Sequence, residues 1–160
     1  NILESTLSLF HKTNSMKFIN TEIEGCYIIE YDTFGDGRGY FSVPYNQDEL
    51  NQKLGYDVNF IQDNMSYSYT NVIRGLHFQK GEHAQAKLVT CTQGLVQDVA
   101  VDIRKDSPTY GKHQSVLLSG ENGVQFYIPE GFAHGFVALE DTVFIYKWYS
   151  FFICSGKFRK

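Results

Sequence analysis

Along the middle of the chain, short runs rich in apolar, β-branched and aromatic residues are separated by turn-forming ones. GCYIIEYD, VNFIQDNMS, NVIRGLHFQ, AQAKLVTCTQG, LVQDVAVDIR, HQSVLLSGENG, VQFYIPEG, AHGFVALED and TVFIYKWY all read as strands, with Gly, Asn or Pro between them. An opening strand is expected from Met16, in MKFINTEIEGCYIIEYD. The turn FGDGRG holds Gly35, Asp36, Gly37 and Gly39, residues that tolerate the positive φ of tight turns. One helix is predicted at QDELNQKL, capped by Asn46, with Asp48 and Glu49 in its first turn and Gly55 at its end. Many short strands and one short helix predict an all-β protein, an antiparallel sandwich or barrel. In DVAVD, Asp98 and Asp102 alternate with valines, the pattern of one polar face.

Composition narrows the function classes. At 160 residues, one domain with its own core is the economical reading. The 18 acidic residues outnumber 14 basic ones, so no nucleic-acid footprint is present. No apolar run is long enough to span a bilayer as a helix, so no membrane partner is expected. Cys26, Cys91 and Cys154 are few, scattered and odd in number, which suits a reducing cytoplasm better than a disulfide framework. The domain is expected over residues 16–152. Residues 1–15 read as a non-native or disordered extension and 153–160 as an aberrant tail, the product of clipping or a frame shift.

The densest chemistry lies in RGLHFQKGEHAQAKLV, residues 74–89. A protein metal site needs at least three ligands converging at about 2 Å. His77 has no His-x-His neighbour, and His83 follows six residues later beside Gly81 and Glu82, where a turn is expected. No metal and no cofactor are therefore expected. A second phrase, GVQFYIPEGFAHGF, spaces Gly123, Pro129, Gly131 and His134 as in the second signature of the cupin superfamily, a small jelly roll. That resemblance predicts a cupin-type jelly-roll barrel whose mouth receives His134. The signature usually ends in Asn, and Ala138 stands here instead.

Whole phrases carry a closer resemblance. FGDGRGYF, FIQDNMS, VIRGLHFQKGEHAQAKLV, DVAVDIRKDSPTYGK, LSGENGVQFYIPEGFAHGF and FIYK, in this order, resemble the dTDP-4-dehydrorhamnose 3,5-epimerase family from about residue 17 to about residue 152. The resemblance implies a metal-free homodimer in dTDP-L-rhamnose synthesis. Its substrate is a dTDP-linked 4-keto-6-deoxy sugar, inverted at C3 and C5 beside the C4 ketone. Such a reaction needs a base near the acidic C–H, stabilisation of the enolate oxygen, and a proton donor on the opposite face. By resemblance His77 is the base, Tyr146 the opposing acid, and Lys87 the cation near the C4 oxygen. Arg38 and Arg74 match positions that bind the nucleotide end, where arginine's fork suits a pyrophosphate. Gln62, Asp63 and Asn64 match the substrate-binding QDN, and His134 the pocket histidine.

Strand parity puts Gln62 with Asn64, and Gln85 with Lys87, on shared faces. Arg74 and His77 are three apart and share a face only if a bulge forms at Gly75. Each residue also has an ordinary reading. Arg38 can be a solvated turn residue, Tyr146 a core aromatic, Lys87 an edge-strand charge, and His134 a donor to a backbone carbonyl. Asp98 either orients His134 or is simply solvated.

The chain also departs from the family pattern. Val43 replaces a glutamate that contacts substrate, and Met65 replaces the histidine that commonly follows QDN. The family's catalytic histidine leans on a C-terminal aspartate beyond the end of this sequence, which predicts a less basic, less well oriented imidazole. Phe151 and Phe152 fall near the place where relatives stack an aromatic ring on thymine. The alternatives are an epimerase inverting one centre of another nucleotide 4-keto-6-deoxy sugar, or an inactive sugar-nucleotide binder.

Overall fold

The computed structural model describes residues 16–149. The expectations for residues 1–15, for Phe151 and Phe152, and for the tail with Cys154 lie outside the described residues. Twelve strands and one α-helix follow in chain order: β1 (Lys17–Asn20), β2 (Tyr27–Glu30), β3 (Thr33–Asp36), β4 (Gly39–Ser42), α1 (Gln47–Leu54), β5 (Gln62–Ser68) and β6 (Ile73–His77). After a 3₁₀ turn at Gly81–His83 come β7 (Ala86–Gln93), β8 (Leu95–Asp102), β9 (His113–Ser119), β10 (Val124–Ile128), β11 (Phe132–Ala138) and β12 (Thr142–Tyr149).

Two antiparallel sheets form the body. The larger runs β1-β2-β10-β7-β12-β5 and the smaller β6-β11-β8-β9, while β3 and β4 make a separate hairpin. Among the described residues this is the all-β architecture with one short helix that the succession of short strands and turns predicts. The central strands of the larger sheet are covered on both faces, which explains the nearly unbroken run of buried positions in β7 and β10. One face, with Val89, Cys91, Phe126, Ile128 and Phe144, packs against Val96, Ala100, Val116, Leu118, Phe132 and Phe136 of the smaller sheet. The other face, with Ala86, Leu88 and Tyr127, packs against Leu50 of α1 and Val58.

Helix α1 begins and ends on its predicted signals. The Asn46 side chain accepts from the backbone N–H groups of Asp48 and Glu49, and Gly55 closes the helix with φ of 75°. Residues 33–41 of the β3–β4 hairpin are all exposed, with Phe34, Tyr40 and Phe41 among the large apolar side chains in solvent.

The alternation in DVAVD does make one polar face, and that face is the inner one. Asp98 and Asp102 point inward with Val96 and Ala100, while Val99 and Val101 are only half-buried. Buried carboxylates need partners, and Asp102 has five. It accepts from the Arg104 backbone N–H and Nε, from Arg104 Nη2, and from the hydroxyls of Ser107 and Thr109. Although burial opposes ionisation, these bonds hold the Asp102 carboxyl well below the usual carboxylate range. Arg104 also lies over the Phe132 ring at 4.6 Å, so the corner after β8 is tied to the start of β11.

Candidate functional site

Between the two sheets, at one end, lies a cleft of about 1010 Å³. Its walls come from different sheets, and each wall brings different chemistry.

The smaller sheet contributes β6 and β11. His134 of β11 stands directly across from His77 of β6, and Phe136 across from Arg74. Between these pairs β6 holds two residues, Gly75 and Leu76, where β11 holds only Gly135. That extra residue is the bulge that parity requires if Arg74 and His77 are to line one cleft. Two glycines make it possible. Gly75 has φ of 116°, and a Cβ there would meet Gly135 Cα at 2.6 Å; a Cβ on Gly135 would meet the Arg74 carbonyl at 2.6 Å. Arg74 is held from below, donating from Nε to Ser68 Oγ at 2.9 Å and from Nη2 to the Tyr67 carbonyl at 3.0 Å.

His134 is buried and bonds through Nε2 to Asp98 Oδ2 at 2.8 Å. Of the two readings for Asp98, orientation of His134 is the one the geometry supports; the carboxylate is 0% exposed, so solvation does not account for it. His77 differs. It is exposed on the cleft wall, and its ring makes no hydrogen bond with the described residues.

The larger sheet contributes β5, β7 and β12. Phe144, Tyr146 and Trp148 alternate along one face of β12 into the cleft, with Tyr146 opposite Asn64 and Trp148 opposite both Gln62 and Lys87. Gln62 donates to Asn64 Oδ1 at 2.7 Å, which fixes the two amides relative to one another. Lys87 is 7% exposed on a central strand, so it is not an edge-strand charge. Burial pushes its ammonium down from the ordinary lysine value, and the Asp98 charge opposes that shift.

Seven of the nine proposed site residues line this cleft: Gln62, Asn64, Arg74, His77, Lys87, His134 and Tyr146. Two do not. Asp63 lies on the other face of β5 and accepts from Lys147 Nζ at 2.8 Å. Arg38 sits at the hairpin, its side chain 90% exposed, bonded to Asp36 of the same turn. Val43 is half-buried and Met65 is exposed, and neither borders the cleft. The residue sequence reasoning missed is Trp148. Its position two beyond Tyr146 on a strand was the available signal. Among the described residues, no group of three or more His, Cys, Asp or Glu side chains is arranged to hold a metal ion. No described helix is long and apolar enough to cross a membrane.

Comparison with known proteins identifies the family to which the chain is similar. The family described as dTDP-4-dehydrorhamnose 3,5-epimerase matches residues 20–155. The dTDP-4-dehydrorhamnose 3,5-epimerase of Escherichia coli K12 is 56% identical over 133 residues, spanning 82% of this chain and 72% of that protein. The crystal structure of the Elizabethkingia anophelis enzyme of the same name superposes with a TM-score of 0.82 at 51% identity, covering 87% of this chain and 76% of that one. The Legionella pneumophila dTDP-6-deoxy-D-glucose-3,5-epimerase, solved in complex with dTDP-4-keto-L-rhamnose, gives a TM-score of 0.82 at 46% identity, covering 86% and 73%.

Proposed function

This chain belongs to the dTDP-4-dehydrorhamnose 3,5-epimerase family, an isomerase family, and we propose that it inverts C3 and C5 of dTDP-4-dehydro-6-deoxy-D-glucose by proton transfer between His77 and Tyr146. The observation that carries this reading is that His77 and Tyr146 enter one cleft from opposite sheets. Inversion needs that opposition: a proton leaves one face of the sugar and another arrives on the other.

In the proposed sequence His77 takes the proton from C5 or C3, and the electron pair moves onto the C4 oxygen as an enolate. Lys87, buried in the same cleft, offsets the charge on that oxygen. Tyr146 then delivers its phenolic proton to the carbon from the other side, while the C4 ketone re-forms. The phenol is restored from solvent and His77 releases its proton there, so the cycle is neutral in protons and needs no redox partner. Arg74, braced on Ser68 and Tyr67, faces the pyrophosphate, and Gln62 and Asn64 recognise polar groups along the nucleotide-sugar.

The active form is a homodimer in which Arg38 serves the partner's cleft. Arg38 does not border the cleft of its own chain. It stands instead on an exposed arm where the Phe34 and Tyr40 rings face solvent, a surface that a second copy can cover.

Incubation with dTDP-4-keto-6-deoxyglucose in heavy water tests the reading. Deuterium at both C3 and C5 supports it. Label at one carbon means a single-centre epimerase, and none means a binding protein.

A further inference from the structure

We infer that Trp148 is a positioning residue for Lys87, its indole forming with Ile128 an apolar slot that fixes the lysine side chain in the cleft. The role of Lys87 is taken from the proposed epimerisation, but the slot itself rests on strand register and burial. Lys87 has two direct cross-strand partners in the larger sheet, Ile128 of β10 on one side and Trp148 of β12 on the other. Residues directly opposed in this way project from the same face of a sheet, with Cβ atoms about 5 Å apart. The three side chains therefore stand in one row, and all are buried: Ile128 is 1% exposed, Trp148 6% and Lys87 7%.

A lysine is rarely buried unless something pairs with it. Lys87 makes no hydrogen bond and no ion pair among the described residues, so packing along its stem is what holds it. Of the two walls, only Trp148 also borders the cleft, and its ring is what stands between the lysine stem and the water there. The position uses the ring and not its N–H. An indole nitrogen can only donate, and Trp148 Nε1 is buried with no acceptor. An unmet buried donor is unfavourable, so packing alone keeps the ring in place.

The slot bears on the reaction through its neighbour. Tyr146 precedes Trp148 by two residues on the same strand face, which makes it the diagonal neighbour of Lys87, roughly 7–8 Å away and within reach of a long side chain. A free lysine stem is flexible. Walls on both sides restrict the ammonium to the part of the cleft before Tyr146, where the C4 oxygen of the proposed enolate gains charge. A cation already in place stabilises that charge better than one that must reorganise.

The first measurement needs no substrate, so its failure is distinct from failure of the deuterium experiment. Trp148 is the single tryptophan of the sequence, which makes its indole protons unambiguous in NMR. The Lys87 methylene signals are identified by their loss in Lys87→Met. In the full unaltered chain a nuclear Overhauser contact should join the two side chains, and its absence overturns the inference. In Trp148→Ala a soluble gadolinium chelate should broaden the Lys87 methylenes as strongly as those of surface lysines, while in Trp148→Phe they should stay protected. Equal protection of Lys87 in all three proteins overturns it. Turnover supplies a readout that a purely structural residue would not move. Trp148→Ala should lower kcat at least about tenfold while KM changes less than about threefold. Trp148→Phe should keep kcat within about threefold of wild type. Equal kcat in the two variants, or a loss expressed in KM alone, overturns the positioning role. Should Trp148→Ala not fold, the contact in the unaltered chain and the rate of Trp148→Phe still decide.

Discussion

His77 and His134 are direct cross-strand partners on β6 and β11, yet their surroundings are unlike. His134 is buried and tied to Asp98, whereas His77 is exposed to the cleft with its ring unbonded among the described residues. A proton-transfer base must reach substrate and exchange protons with solvent, and that describes His77. His77→Asn should therefore abolish deuterium incorporation at both carbons, at a cost on the order of a hundred to ten thousand fold. His134→Asn should keep label at both carbons while slowing turnover by at least about tenfold less. Mass spectrometry of product formed in heavy water distinguishes the two.

Tyr146 is half-buried on the facing wall, between Phe144 and Trp148. Enolate formation requires only the base and the oxyanion partner, so Tyr146→Phe should spare deuterium exchange into recovered substrate more than net inversion. The rate of inversion should drop on the order of a hundredfold or more. Exchange and inversion measured on one reaction mixture give the ratio; an equal loss of both rejects the tyrosine as opposing acid.

Much of this arrangement was legible in the sequence. Strand alternation and turn residues located the elements, and the Asn46 and Gly55 signals framed α1 because caps depend on local chemistry. The DVAVD segment left the direction of its polar face open for a physical reason. Alternation reports that two faces differ, but not which is inside, and carboxylates take the inner face when partners such as Arg104 and His134 wait there. Those partners come from an adjoining loop and another strand, so pattern alone could not supply them. Arg38 and Asp63 show the other limit. A motif match names residues without saying which chain's cleft, or which face of a strand, they serve.

Gly75 is the hinge of the bulge that brings Arg74 and His77 to one wall. In Gly75→Ala the new methyl would meet Gly135 Cα at 2.6 Å and the His134 carbonyl at 2.8 Å, at a positive φ that disfavours alanine. The substitution should cost about 2–4 kcal/mol of stability and shift His77 off its position. Urea denaturation should show the lost stability, and turnover at a temperature where the variant is still folded should fall well below wild type. Unchanged turnover would mean His77 keeps its place without the bulge.

Asp102 gives a pH dependence with a definite sign. Its folded carboxyl is held below the unfolded value, so its contribution is complete above about pH 4 and lost as pH falls towards the folded value. Asp102→Asn removes the charge that Arg104, Ser107 and Thr109 converge on. It should destabilise the fold by about 3 kcal/mol near neutrality. Denaturation curves for both proteins at about pH 7, 5 and 3 should show that gap steady at the first two and narrowed at the third. A gap that widens in acid would contradict the assignment.

The position of Arg38 makes a prediction about two chains rather than one. Its side chain is 90% exposed on the β3–β4 arm and borders no part of its own cleft. If a partner copy receives it, the arginine and the base of each site come from different chains. Arg38→Ala alone should raise KM more than it lowers kcat, because the contact serves the pyrophosphate in substrate and transition state alike. His77→Asn alone should be inactive. Mixing the two variants under conditions that exchange subunits should restore activity. In a mixed dimer, one cleft has an intact His77 and receives Arg38 from the other chain. An arginine serving its own chain's cleft predicts no such recovery, since every cleft would then lack one group or the other. Steady-state rates at low substrate, measured across mixing ratios, decide between the two. A maximum near equal proportions supports the shared site, and a straight line between the two parents removes it.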